Sequence, residues 1–177
     1  VVRGLRKARN HIDRQPVFLH ETNALRLPIR QVTEADYFKA RSAVEKARAR
    51  FSPEAPMQGT DLVAVFEPMG VVGRWFEQTR DPFANVPLHF FRLNDLAMAT
   101  WPFELFIEFS LRVKARAKSP HTAVVQMTDD YLDYLPTQAA VAGGSYSSAP
   151  ASTTCGPESG DALIEQMLEG INKMWEN

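Results

Sequence analysis

The stretch from Leu96 to Met127 constrains this chain more than any other. Leu96 to Trp101 reads as a strand, Pro102 ends it, and Phe103 to Ala117 has helical spacing, with Phe103, Phe106, Ile107, Ser110, Leu111 and Lys114 near one face. Ser119-Pro120 stops the helix, and Thr122 to Met127 reads as a buried strand. Strand, helix and strand in that order make a βαβ unit, whose strands are parallel and whose crossover is right-handed. The expected fold class is therefore α/β: a mixed sheet with packed helices, including a βαβ unit at about 96–127.

The flanking segments extend that sheet. Val86 to Leu93 is a strand, and Asn94-Asp95 is the turn that joins it to Leu96. Val17 to Ile29 is extended, with Leu25, Leu27 and Ile29 on one face, and Pro28 confines the run to an edge or an end. Thr33-Glu34-Ala35-Asp36 is a capping box with Asp in the acceptor place, opening a helix to about Arg50. Ser52 to Gly59 is a loop, and Thr60 to Thr79 is helical with an interruption expected near Pro68 and Gly70. Thr128 to Pro157 is long and irregular, and an amphipathic helix from Ser159 to Trp175 closes the sequence.

Composition excludes several classes. With 45% hydrophobic and 23% charged residues, 177 residues make one ordinary domain or a piece of a larger one, not a disordered polymer or a coiled coil. No window approaches the roughly 18 apolar residues of a membrane span. Val1-Val2-Arg3-Gly4-Leu5-Arg6-Lys7 has charge without an apolar run behind it and no initiator Met, so the expectation is a processed or trimmed chain without a signal peptide. A net charge of -1 argues against a dedicated nucleic-acid binder. Residues 1–51 nonetheless hold 12 Lys/Arg against 5 Asp/Glu, and the remainder 8 against 16. Two oppositely charged parts attracting within one fold, or an anionic partner for the basic end, both accommodate this. The single cysteine, Cys155, excludes an internal disulfide and any multi-cysteine zinc site.

The βαβ reading has a geometric consequence. The segments after its two strands, Pro102-Phe103-Glu104 and Asp129-Asp130-Tyr131 onward, leave the same edge of the sheet, where open α/β sheets bind ligands. Glu104, Asp129, Asp130, Tyr131, Asp133 and Tyr134 are thus candidates for one site. Each also has an ordinary structural reading: Glu104 in the first turn of a helix, the aspartates as turn formers, the tyrosines packing their rings.

Trp101-Pro102-Phe103-Glu104-Leu105-Phe106, then Tyr131-Leu132-Asp133-Tyr134-Leu135-Pro136-Thr137, then Gly143-Gly144-Ser145-Tyr146, resemble the C-terminal part of the catalytic domain of neutral ceramidases. Leu25-Arg26-Leu27-Pro28-Ile29-Arg30 before the Thr33 helix and Gly156-Pro157-Glu158-Ser159-Gly160 before the last helix fit the same family in the same order. The resemblance implies hydrolysis of the amide of ceramide at a zinc ion (Zn2+) held by two histidines, a glutamate and a tyrosine. It carries the metal-ligand roles to Glu104 and Tyr134, and an oxyanion-stabilising catalytic role to Tyr146. The family's two zinc histidines lie upstream. His11, His20, His89 and His121 match neither position and read as surface or packing histidines.

Residues 1–177 are accordingly expected to be a single unit, the C-terminal part of a catalytic domain whose N-terminal part is absent, inactive alone. The implied partners are a ceramide-like lipid amide and the N-terminal remainder of the same protein, and the resemblance suggests export. Phe103 and Ser147 depart from residues common in the family, and the Ser145–Cys155 loop has no evident apolar docking surface. These departures leave open a zinc hydrolase of another N-acyl amide or ester. A non-catalytic scaffold, with the basic N-terminal portion as its contact surface, is the other reading.

Overall fold

The computed structural model describes residues 12–52, 56 and 58–176, with the single positions 4 and 8. Its strands are β1 (Phe18–Pro28), β2 (Phe83–Leu93), β3 (Leu96–Thr100), β4 (Glu104–Leu105), β5 (His121–Val125) and β6 (Tyr134–Leu135). Its helices are α1 (Glu34–Arg48), α2 (Gly59–Arg80), α3 (Ile107–Arg116), α4 (Gln138–Gly143) and α5 (Ser159–Lys173).

Four strands form a mixed sheet in the order β1-β2-β3-β5. β1 runs antiparallel to β2, with Phe18 opposite Leu93 and Pro28 opposite Phe83, and it is the edge strand that Pro28 requires. Asn94-Asp95 turns β2 into β3, Asn94 taking a φ of 50°. β3 and β5 are parallel, Leu96 opposite His121 and Thr100 opposite Val125, as the βαβ reading requires.

Alternation along these strands decides where the core lies. Val86, Leu88 and Phe90 of β2, with Ala97 and Ala99 of β3, are buried on one face. α5 covers that face with Leu163, Ile164, Met167, Leu168 and Ile171, a helical stripe worth about 1.5–3 kcal/mol per large apolar side chain. The alanines and Gly170 permit a close approach: a Cβ on Gly170 would lie 2.6 Å from the Phe90 ring. α3 adds Phe109 and Val113 beside α5, and Leu27, Trp101, Phe103, Leu105, Leu135, Cys155 and Met174 complete the cluster.

α1 and α2 pack on one another, with Tyr37 stacked on Trp75 at 5.2 Å. The expected capping box is present: Thr33 Oγ1 accepts the Asp36 N–H at 3.1 Å, and Asp36 Oδ2 accepts the Thr33 N–H at 3.1 Å.

Three expectations need correction. α2 is not interrupted: it continues through Pro68 and Gly70. Proline in a helix interior costs about 3 kcal/mol, which packing against α1 and against the 3-10 turn Pro150–Ser152 offsets. Gly70 is needed there, because a Cβ would collide with Ala151.

The helix expected from Phe103 begins at Ile107 instead, and Glu104–Leu105 is strand. Backbone bonds drew this segment out: Phe103 C=O accepts the Met127 N–H at 3.3 Å, and the Glu104 N–H donates to Asp133 C=O at 2.9 Å. The buried face of α3 is consequently Phe109, Ser110 and Val113, while Ile107 and Leu111 are exposed. Finally, the stretch from 128 to 157 is not irregular throughout, since it holds β6, α4 and the 3-10 turns Tyr146–Ser148 and Pro150–Ser152. Among the described residues no helix is long and apolar enough to cross a membrane.

Candidate functional site

Beyond the ends of β3 and β5 the chain builds a second, two-stranded parallel sheet from β4 and β6. The Trp101 N–H donates to Val125 C=O at 2.9 Å, and the Trp101 and Pro102 carbonyls accept from Thr128 and Leu132 at 3.0 and 2.7 Å. Met127, Asp129 and Asp133 take positive φ values of 54°, 69° and 58°. These left-handed residues turn the chain back so that β6 lies beside β4; Asp tolerates that region better than most side chains.

Within this ladder Glu104 faces Tyr134 and Leu105 faces Leu135. Leu105 and Leu135 are buried, so strand alternation turns Glu104 and Tyr134 together to the opposite, half-buried side. The Tyr131 hydroxyl donates to Glu104 Oε1 at 3.0 Å. Hydrogen bonding to the Glu104 carboxylate pushes the Tyr131 phenol up to about 12, with burial and the nearby negative charge adding to it. The Tyr134 phenol is raised for the same first reason, its hydrogen bond to Glu104. Tyr146, in the 3-10 turn after α4, sets its ring edge-on to Tyr134 at 6.1 Å.

Thus Glu104, Tyr131, Tyr134 and Tyr146 come together. The three aspartates do not join them as site groups. Asp129 pairs with His89 and Asp130 accepts the Tyr131 N–H at 2.7 Å. Asp133 sends its carboxylate to Thr154 Oγ1 at 2.9 Å. Glu104 is not in a helical first turn, so the macrodipole does not account for its carboxylate.

Chemically, one carboxylate and one phenol on the same side offer two hard oxygen donors. Glu104 holds both neighbouring phenols in the protonated state; a divalent cation would favour carboxylate and phenolate together. The pair therefore offers two oxygen ligands to a divalent cation. Among the described residues no group of three or more His, Cys, Asp and Glu could hold a metal ion. His20 and His89 lie on neighbouring strands with ring nitrogens 2.9 Å apart, and His20 stacks on Phe91; His121 opens β5, and His11 lies outside the described residues.

Two features were not evident in the sequence. An open, largely apolar cleft of about 570 Å³ runs beside Tyr146, lined by Leu62, Val63 and Phe66 of α2 and by Ser145 and Ser152. The large aliphatic and aromatic residues facing the Ser145–Cys155 loop come from α2, not from the loop itself. Their exposed stripe, Leu62, Val63, Phe66 and Met69, was the available signal. Phe103, the departure from the family pattern beside Glu104, is fully buried in the main core.

No protein-family model matches the chain, and no curated protein matches it. Among solved structures, it is similar to a ceramidase complexed with C2, at a TM-score of 0.46 and 19% identity over 52% of this chain and 15% of that one. It is also similar to the neutral ceramidase of Pseudomonas aeruginosa, at a TM-score of 0.43 and 19% identity over 51% of this chain and 15% of that one. About half of this chain is thus similar in structure to bacterial neutral ceramidases, and the match spans 15% of the length of either ceramidase chain.

Proposed function

We propose that Glu104, Tyr134 and Tyr146 form part of the active site of a zinc-dependent amide hydrolase resembling neutral ceramidase. It would cleave a ceramide-like lipid amide to a long-chain amine and a fatty acid. Two further zinc ligands, both histidines, would come from a part of the protein N-terminal to this chain. The observation that carries this reading is the β4–β6 register, which sets Glu104 directly opposite Tyr134 with Tyr146 against the same ring.

Glu104 and Tyr134 would hold the metal by their oxygens. Lewis-acid polarisation of the amide carbonyl and a lowered pKa for water are the chemistry that bound zinc supplies there. Tyr131 holds the Glu104 carboxylate in place through its hydroxyl. Tyr146, whose side chain is largely exposed, would donate its hydroxyl to the oxygen that gains charge as the amide carbonyl is attacked. The Leu62–Val63–Phe66 cleft beside Tyr146 supports a substrate with an aliphatic chain.

The test uses the intact native protein. Zinc content and ceramide hydrolysis are measured for wild type, Glu104→Gln and Tyr134→Phe. Loss of zinc and of turnover in both variants is expected. Full zinc content in both would remove the ligand assignment, and a zinc-free, inactive wild type would favour a scaffold. Zinc without ceramide cleavage would point to another N-acyl amide or ester.

A further inference from the structure

We propose that Arg74, on α2, is the positioning residue of the Glu104–Tyr134 pair, acting through Asp133. This rests on the reading that Glu104 and Tyr134 are the reactive pair.

Asp133 is the residue immediately before Tyr134, and it holds a left-handed φ of 58°, which aspartate tolerates better than most side chains and glycine better still. Three contacts anchor it there. Its carbonyl accepts the Glu104 N–H at 2.9 Å, which ties it to the opposite strand. It bridges to Thr153 in antiparallel fashion. Its Oδ2 accepts Thr154 Oγ1 at 2.9 Å and lies 3.7 Å from Arg74 Nη2.

Arg74 itself is costly to hold. Its side chain is only 7% exposed. Nη2 donates to Thr153 C=O at 2.8 Å and Nη1 to Glu77 at 2.6 Å, while the buried Nε has no hydrogen-bond partner among the described residues. A desolvated guanidinium with an unpaired donor is a poor source of stability. Its geometry instead joins α2 to the Thr153 backbone and to the Asp133 carboxylate at once, the two points that fix where Tyr134 begins. A second arginine reinforces the far side: Arg30 donates to Thr153 Oγ1 at 3.0 Å and to the carbonyl of Ser148, in the turn that carries Tyr146.

If Arg74 holds this turn through the Asp133 carboxylate, the need for it disappears when that carboxylate does. Asp133→Gly removes that carboxylate while glycine keeps the positive φ without cost, so the site should become largely indifferent to Arg74. Native-state hydrogen exchange in the intact protein reads this out through the Glu104 amide, with the amides of the β2–β3 ladder as an internal reference. Arg74→Met is expected to speed exchange at Glu104 about tenfold while the reference amides keep their rates, and Arg74→Lys to do so less. In the Asp133→Gly background, Arg74→Met should add clearly less, the remainder acting through its bond to Thr153 C=O.

Glu104 and the reference amides speeding together in Arg74→Met would overturn the inference, because Arg74 would then serve global stability only. An equal effect of Arg74→Met with and without Asp133→Gly would overturn it too. If Arg74→Met does not fold, Arg74→Lys carries the same comparison. The functional reading fails separately: full zinc in Glu104→Gln and Tyr134→Phe removes the metal-site assignment, whatever exchange at Glu104 shows.

Discussion

Tyr131 reaches back across the turn to donate its hydroxyl to Glu104 at 3.0 Å, three residues before the tyrosine that faces Glu104 in the ladder. Two phenols thus share one carboxylate, and their ionisation depends on it. In Glu104→Gln the negative charge is gone, and the Tyr131 midpoint should fall from about 12 towards the ordinary 10.0. Because the folded value is the raised one, the contact stabilises the fold fully below about pH 10 and the benefit is lost as pH climbs to about 12. Carbon-13 NMR of the Tyr131 ring, followed against pH in both proteins, checks this. An identical midpoint in the variant would show that Glu104 does not govern the phenol.

Tyr146 is set against the Tyr134 ring but does not face Glu104 in the ladder. Tyr146→Phe should therefore leave zinc content unchanged while turnover of the intact enzyme drops about 10²–10³-fold, the usual cost of one oxyanion donor. Wild-type turnover would take Tyr146 out of the mechanism, and loss of zinc would make it a ligand instead.

Two glycines three residues apart on α2 should respond with opposite signs. A Cβ at Gly73 meets nothing within 4 Å among the described residues, so Gly73→Ala should stabilise the protein by about 0.5–1 kcal/mol. Gly70→Ala pushes into Ala151 and should destabilise it by about 1–3 kcal/mol. Urea unfolding of both variants tests the pair, and a stabilising Gly70→Ala would mean that α2 does not pack against the Pro150–Ser152 turn as described.

Phe103 is fully buried although its neighbour Glu104 is at the site. Phe103→Ala should cost about 3–5 kcal/mol, the range for emptying an aromatic position in a core. A loss under about 1 kcal/mol in urea unfolding would contradict its burial.

Much of this was legible because period and punctuation agreed. The β2–β3 hairpin, the parallel β3–β5 pair, the edge strand ending in Pro28 and the last helix all follow from alternation, from prolines and from the Asn94-Asp95 turn. Glu104 misled for a physical reason. Phe103, Phe106 and Ile107 have helical spacing, yet Phe103 is claimed by the core and Glu104 by a backbone partner 29 positions later, Asp133, which no local pattern announces. Pro68 misled in the opposite way, since its local penalty is real but the contacts on either side of it outweigh it. The grouping of Glu104 with Tyr131 and Tyr134 was readable from topology alone, whereas the cleft beside Tyr146 was not. Its walls come from α2 and from the turns near residue 150, brought together only by the fold.

The shortness of the β4–β6 ladder has an evolutionary side. Only two residue pairs define it, and the excursion between them passes through a whole helix and a whole strand. Drift at exposed positions of that excursion, such as Lys114 and Pro120, leaves the landing point untouched. Deleting one residue between Asp129 and Asp133 does not: it exchanges the outward and inward parities of β6, sending Tyr134 towards the core and Leu135 into the open. Lineages descended from such a chain can vary their loops widely, but gaps beside this ladder would be lethal to the site where substitutions are merely harmful.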